Sequence, residues 1–385
     1  MKMTHRRCCW LLPLYLGALA VPVLAADEGV HVADRGQTVK PITEGPATGS
    51  DHVSYAFVLS NATCRYGISY NGYWSQDGGA KATPEGYLGM PAPGGDNWYA
   101  GGFLDVVANG QSLGGTRPLT PRAIEQGERG LIEVLFPAQP TPVRLRFLLE
   151  PDTDYLACEI AANAPLKSLS LNLRCFPSCF TSWNKKDGWR QVISPSGIIE
   201  QGKDATLQAA TDWWLFYQDT VLDYATNATD SGGPCAMLML PEQAQTARVT
   251  VTSYPVSTSV ACKPDLTFVR LAFWDFRKQP NGPALQHLRA IAPQVADRLR
   301  KLDFNDRGVA AFNARGERAK LDELVAHSSD PAKWKQTLTP VFEAIMTALQ
   351  AYAGGDFIAE QKAAEAIAKY REALWDLKFD ALLTD

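Results

Sequence analysis

The chain has 385 residues, of which 46% are hydrophobic and 20% are charged, and its formal net charge is −4. This composition is typical of a globular protein and excludes the disordered, collagen-like and low-complexity classes. A protein that binds duplex nucleic acid usually carries an excess of basic residues, which this chain lacks, so no nucleic-acid partner is predicted.

Residues 1–25 have the pattern of a signal peptide. Basic residues precede an uncharged apolar run over Trp10–Leu24, and a small side chain stands at Ala25. We expect cleavage after Ala25 and a secreted or periplasmic mature protein. No later segment has the roughly 18 consecutive apolar residues of a membrane-spanning helix, so we do not expect the mature chain to be membrane-embedded.

The next part of the chain predicts β-structure. Residues 26–50 lack apolar periodicity and are interpreted as a loosely ordered leader. Residues 51–276 contain about eleven short runs rich in valine, leucine and aromatic residues, separated by glycine, proline, asparagine and aspartate. This spacing predicts a large antiparallel β-sandwich, or two smaller ones.

Residues 277–385 are rich in alanine and poor in glycine, which predicts a C-terminal helical domain. Pro331, preceded by Asp330 as a cap, is typical of a first helical turn. Apolar residues then recur at steps of three and four on both sides of Gly354-Gly355, which predicts an antiparallel helical hairpin. The predicted fold class is therefore mainly β with α.

Two cysteines lie where a hairpin would bring them together. Cys158 and Cys175 lie in successive extended runs, and a turn centred near Leu166-Lys167 would place them opposite each other. We expect a disulfide there, with two buried free thiols as the alternative. No cysteine spacing resembles a structural zinc site, and the histidines are scattered, so neither a metal nor a cofactor is predicted.

The most informative feature is a set of aromatic clusters among polar residues and glycines. They lie at residues 70–79, 95–99, 183–191 and 212–219. Indole and phenol rings stack on the C–H faces of sugars, while polar side chains bond the hydroxyls. The predicted ligand-binding residues are Trp74, Asp77, Trp98, Trp183, Trp189, Arg190, Trp213, Tyr217 and Asp219. The same rings would also suit a sandwich core.

The β region also contains many carboxylates and several tyrosines and basic residues. A glycosidase needs two carboxylates about 5–9.5 Å apart across a cleft, whereas a lyase needs a base and a cation. The sequence does not show which groups meet, so binding, hydrolysis and elimination all remain open.

The segments Tyr155–Ile160, Asn163–Leu166 and Leu169–Leu173 resemble a strand pair of the galactose mutarotase-like supersandwiches. The resemblance implies a large sandwich that carries carbohydrate chemistry. Mutarotases of that group use histidines with an acid, and His52 is the only histidine in the β region, so epimerase activity is disfavoured.

Two functional hypotheses follow. The first is an exported carbohydrate-active or carbohydrate-binding protein with a Trp/Tyr-lined cleft, whose partner is a polysaccharide or glycan. The alternative is a cell-envelope structural or interaction protein with a helical docking domain. An exposed apolar stripe within residues 331–383 would favour the alternative. The sequence leaves the oligomeric state open.

Overall fold

The computed structural model describes residues 29–45, 47–75, 78–81, 104–177, 188–220, 233–277, 279–353 and 355–384. Over these ranges, three antiparallel sheets are followed by helices, which confirms the predicted mainly-β fold with a C-terminal helical region. The strands, in chain order, are β1 (His31–Pro41), β2 (Ser50–Ser60), β3 (Arg65–Ser75), β4 (Ala80–Lys81), β5 (Leu104–Ala108), β6 (Gln111–Ser112), β7 (Arg122–Glu125), β8 (Gly130–Phe136), β9 (Val143–Leu149), β10 (Leu156–Leu166), β11 (Leu169–Cys175), β12 (Arg190–Ser194), β13 (Gly197–Glu200), β14 (Asp204–Gln208), β15 (Trp214–Asp219), β16 (Cys235–Met239), β17 (Ala244–Val251), β18 (Val256–Cys262) and β19 (Leu266–Asp275).

The largest sheet has nine strands in the order β13-β12-β15-β16-β19-β10-β9-β8-β7. A six-stranded sheet has the order β14-β17-β18-β11-β5-β6, and a four-stranded sheet has the order β1-β2-β3-β4. Apolar side chains from all three sheets pack into one shared core. Strands β1 and β2 contact β8, so the four-stranded sheet extends the sandwich at that side of the nine-stranded sheet.

The segment predicted as a loose leader, residues 26–50, instead contains the ordered strand β1. This strand pairs with β2 from His31 opposite Ser60 to Pro41 opposite Asp51. Most of its side chains are exposed, although Val32 is buried. The sequence shows no apolar periodicity here because main-chain pairing, rather than side-chain burial, holds this edge strand in place.

The nine-stranded sheet is covered on both faces. Every residue of β8, β9, β15 and β16 is buried. One face belongs to the shared sandwich core, and the other packs against the first long helix, where Leu288 and Leu299 lie against Trp274 and Phe216. Strands that are apolar on both faces are expected in a sheet with such a double cover.

The helices are α1 (Asn281–Lys301), α2 (Arg307–Ala310), α3 (Ala314–Ala326), α4 (Pro331–Tyr352) and α5 (Phe357–Thr384). As predicted, α4 begins at Pro331, and the Asp330 carboxylate accepts a hydrogen bond of 3.0 Å from the Lys333 amide. Helices α4 and α5 form the expected hairpin, with Phe342 packed against Tyr370. Among the described helices, none is both long and apolar enough to cross a bilayer.

A buried charge network joins the helical region to the nine-stranded sheet. Arg146 on β9 contacts Glu133 on β8 at 2.6 Å and Glu360 on α5 at 3.0 Å, and Arg144 also contacts Glu360. The remaining members are Arg122, Glu159, Arg270 and Asp306. The four arginines balance four carboxylates, so the charges are compensated where they are buried.

The predicted Cys158–Cys175 disulfide is wrong, since both side chains are buried free thiols. The chain does turn after Leu166, as expected. However, β10 pairs with β9 and β19 in the nine-stranded sheet, whereas β11 pairs with β5 and β18 in the six-stranded sheet. The two strands therefore lie in different layers instead of forming a hairpin.

Candidate functional site

One end of the nine-stranded sheet gathers polar side chains from several strands. Arg190 at the start of β12 lies opposite Asp219 at the end of β15, and Cys235 at the start of β16 lies opposite Asp275 at the end of β19. Asp154 lies two residues before the start of β10, which pairs with β19 at the same end. Antiparallel pairing thus places these residues, which are remote in sequence, at the same end of the nine-stranded sheet.

A pocket of about 710 Å³ opens at this end of the sheet. It lies between the β2–β3 connection, the end of β19 and helix α1. Its hydrogen-bonding side chains combine carboxylates with guanidinium, amide and imidazole groups. We call this site the end pocket and define it by Arg65, Asp154, Asp275, Arg277, Gln279 and His287.

A histidine and a carboxylate are joined in the end pocket. His287 Nε2 lies 2.6 Å from Asp154 Oδ2, and Trp274 Nε1 donates a hydrogen bond of 3.2 Å to Asp154 Oδ1. Both carboxylate oxygens are therefore engaged, which fixes the orientation of the Asp154 side chain. Because Asp154 holds one nitrogen of the half-exposed His287 ring, the other nitrogen can serve as a base or hydrogen-bonding group.

The second carboxylate of the end pocket belongs to Asp275. Its side chain is nearly buried, and Arg277 Nε lies 3.4 Å from Asp275 Oδ2. Arg277 is itself partly exposed. The pair therefore presents a guanidinium to solvent, with its counter-charge set deeper beneath it.

Neither Cys64 nor Tyr66 suits acid–base or nucleophilic work in this pocket. Burial, reinforced by the negative charge of Asp154, raises the pKa of the Cys64 thiol to about 12. Burial also raises the pKa of Tyr66 well above its usual value, and its hydroxyl donates to the Asp154 carbonyl at 2.8 Å. Both groups stay neutral near pH 7, so Cys64 is not a thiolate, and the Tyr66 hydroxyl holds the main chain at Asp154.

Beside the end pocket, Arg190 and Asp219 form an interior ion pair. Both side chains are fully buried, and Arg190 Nε lies 3.6 Å from Asp219 Oδ2. Burial lowers the pKa of Arg190, and the charge of Asp219 opposes that change. Asn281, the first residue of α1, donates a hydrogen bond of 2.7 Å to the Asp219 carbonyl. The main chain at Asp219, rather than the ion pair itself, thus holds the start of α1 to the end of β15.

Four of the predicted ligand-binding residues lie at this end of the nine-stranded sheet, namely Trp189, Arg190, Tyr217 and Asp219. Trp189 is 46% exposed and directly precedes β12. Tyr217 is buried, and its hydroxyl lies 2.9 Å from Thr258 Oγ1. Strand β12 is three positions from β19, so Trp189 stands about 14 Å from the end pocket at the usual strand spacing.

The other predicted residues do not join this group. Trp74 is an interior side chain of the four-stranded sheet, where its indole donates to the Tyr70 hydroxyl at 3.2 Å. Trp213 directly precedes β15, at the opposite end of that strand, and is half-buried against the apolar cluster between the nine-stranded sheet and α1. Asp77, Trp98 and Trp183 lie outside the described residues. Trp74 and Trp213 therefore contact different cores and lie apart from the residues at the β12 end of the sheet.

Sequence reasoning missed the end pocket as a unit. Asp154 and Asp275 stand out as carboxylates near strand ends, but the sequence does not state that β10 and β19 are neighbours. His287 belongs to a helix 133 residues beyond Asp154. Within the described ranges, no group of three or more potential metal ligands is clustered.

Comparison with known proteins finds only a remote structural likeness. No family profile and no curated protein matches the chain. Similar solved structures include the α-N-acetylgalactosaminidase NagBb from Bifidobacterium bifidum in complex with GalNAc (7% identity, TM-score 0.39) and without ligand (9% identity, TM-score 0.39). They cover 67% and 68% of this chain but only 39% and 38% of the enzyme.

The chain thus spans about two fifths of that enzyme's length. Likeness at this level carries no functional argument. The galactose mutarotase-like resemblance therefore stays a prediction. The fold and the site together define a β-sandwich protein with a helical region and a polar pocket at one sheet end.

Proposed function

We propose that this protein is exported and binds a saccharide in the end pocket. One observation carries the proposal, namely a pocket of about 710 Å³ whose walls offer hydrogen-bond donors and acceptors side by side. Pockets that enclose small ligands usually measure about 300–1,000 Å³. Sugar hydroxyls both donate and accept, so they suit a mixture of carboxylate, guanidinium, amide and imidazole groups.

Within this proposal, Arg277 and His287 are the contacts to test. Both are partly exposed at the pocket, while Asp275 and Asp154 lie beside them as acceptors that hold them in place. The His287–Asp154 pair would supply a base if the bound saccharide is also cleaved. Trp189, exposed at the same sheet end, would offer a stacking ring to a longer chain.

Isothermal titration calorimetry of the mature chain against neutral and uronate-containing oligosaccharides tests the proposal. We expect Arg277→Met and His287→Gln to weaken binding at least tenfold. Matched controls are Arg248→Met on β17 and His327→Gln after α3, both remote from the end pocket. Reducing-end and unsaturated-product assays on the same samples distinguish hydrolysis and elimination from plain binding.

Two results would overturn the saccharide proposal. One is the absence of heat or Trp fluorescence change with every oligosaccharide tested. The other is an equal loss of affinity in the pocket variants and the controls. Export is tested separately, by the intact mass of the secreted protein, which should correspond to a chain beginning at Ala26.

The alternative function, an envelope interaction protein, is favoured by a different observation. Trp375, Phe379, Leu382 and Leu383 on α5 are 63–75% exposed. Large apolar side chains gathered on one helix face commonly mark a contact with another molecule. A docking role for this helix is compatible with a saccharide site in the end pocket, because the two share no residue.

A further inference from the structure

Helix α5 carries apolar residues on two sides. Its inner side packs Tyr370, Leu374 and Leu377 into the core of the helical region. Its outer side presents Trp375 and Phe379 to solvent, together with Leu382 and Leu383. We call this exposed side the outer face of α5. A helix that is satisfied on one side and apolar on the other needs a second cover.

The spacing on the outer face is that of a two-helix seam. Ala368, Glu372, Trp375, Phe379 and Leu382 are all at least partly exposed and recur at steps of four, three, four and three. This is the heptad alternation by which one helix packs along another. A single acidic residue, Glu372, interrupts an otherwise apolar row. The seam therefore fits a helix better than a flat sheet or an extended peptide.

The exposed area is compatible with a partner of equal size. The four large side chains expose on the order of 500 Å² per copy, at the upper end of what soluble monomers show. Two such faces would bury about 1,000 Å² together, which is near the lower limit for a specific interface. A second copy supplies this area without any further component.

The charges beside the seam select a partner orientation. Arg371 and Lys378, seven residues apart, flank the seam on one side, and Lys369 and Asp376, also seven residues apart, flank it on the other. In a parallel pair of identical helices, opposite flanks meet, and the position of Arg371 faces that of Asp376 in the other copy. In such a parallel pair the position of Lys369 faces the uncharged Ala364 of the other copy. In an antiparallel pair, like flanks meet, and Arg371 would face Lys378. Arg371 and Asp376 are both exposed, and the described residues form no ion pair with either.

We propose that the outer face of α5 docks a second copy of this chain in a parallel, two-fold arrangement. Trp375, Phe379 and Leu382 fill the seam, and Arg371 of each copy pairs with Asp376 of the other. This arrangement names the partner for the docking role suggested above and is independent of saccharide binding at the end pocket. The dimer would carry its two end pockets as a bivalent pair.

Sedimentation equilibrium of the mature chain from about 1 to 200 μM tests the arrangement. We expect a dimer for the unchanged chain and a monomer for Trp375→Glu/Phe379→Glu. Arg371→Asp and Asp376→Arg should each weaken dimerisation at least fivefold at low salt. The double variant R371D/D376R should restore the dimer, because both pairs are re-formed with reversed sign.

The control is Met346→Glu, an exposed apolar residue on α4 that is not part of the seam and should leave the dimer unchanged. Circular dichroism checks that each variant is folded. A monomer at 200 μM would overturn the proposal, and so would a double variant that loses affinity additively. Co-sedimentation of the unchanged monomer with anionic phospholipid vesicles, abolished in W375E/F379E, would assign the face to a membrane surface instead.

Discussion

Replacing Glu360 by glutamine should lower the free energy of unfolding far more than the same replacement at an exposed position. The Glu360 side chain is nearly inaccessible and contacts both Arg144 and Arg146. Glutamine keeps the shape but removes the charge, which leaves two buried guanidinium groups with less compensation. Breaking a buried ion pair in this way typically costs about 3–5 kcal/mol.

Urea unfolding at pH 7, followed by circular dichroism, measures this loss. With an m-value of about 3 kcal/mol/M, the unfolding midpoint should fall by about 1–1.7 M while m itself stays constant. The matched control is Glu343→Gln, which removes an exposed charge on α4 and should change the free energy of unfolding by less than about 0.5 kcal/mol.

A second variant examines the cause of the effect. Replacing Glu360 and Arg144 together with leucine and methionine removes one charge of each sign. This change should recover part of the loss, since apolar substitutes for a complete buried pair are often tolerated. If E360Q cost no more than E343Q, the view that this carboxylate holds the helical region to the sheet would be refuted.

Three further outcomes are expected. The charges of Arg146, Arg122 and Arg144 outweigh burial and hold the pKa of Glu133 below its ordinary value. The stability that this carboxylate contributes is present above the unfolded pKa and is lost as pH falls through the folded pKa. In urea titrations from pH 6 to 3, the free energy of unfolding should therefore decline less for Glu133→Gln than for the unchanged chain. Gly72→Ala should lower the free energy of unfolding by about 1–3 kcal/mol, because the new Cβ would lie 2.6 Å from Trp74 Nε1. The control is Gly67→Ala, whose Cβ would meet no atom within 4 Å. Equal losses in the two variants would contradict the steric argument. Burial raises the pKa of Cys158 well above its usual value, so an aqueous thiol reagent should label it only after unfolding, and rapid labelling of the native protein would disprove its burial.

The sequence predicts the architecture because its strongest signals are local. Short apolar runs between turn residues mark the strands, and the proline start and paired stripes mark the hairpin of α4 and α5. Strand β1 is missed by the prediction because its stability comes from main-chain pairing with β2, so its side chains show no apolar periodicity.

The order of the strands within the sheets is not a local property of the sequence. The wrong disulfide prediction and the missed end pocket both result from this. Cys158 and Cys175 are separated by a correctly placed turn, yet the chain crosses from one sheet to the other at that turn. The end pocket depends on the same information, because Asp154 and Asp275 meet only when β10 and β19 are neighbours. An aromatic ring such as Trp74 has the same local pattern whether it faces a groove or the interior.

The position of Glu360 makes the two parts of this chain inseparable. A fragment that stops after β19 would keep Arg144 and Arg146 but lack the acidic side chain that α5 delivers to them. Such a fragment would present uncompensated positive charge on a sheet face that also loses its apolar cover from α1. Recombination of the sandwich with a foreign helical module would therefore require a carboxylate supplied at the same depth.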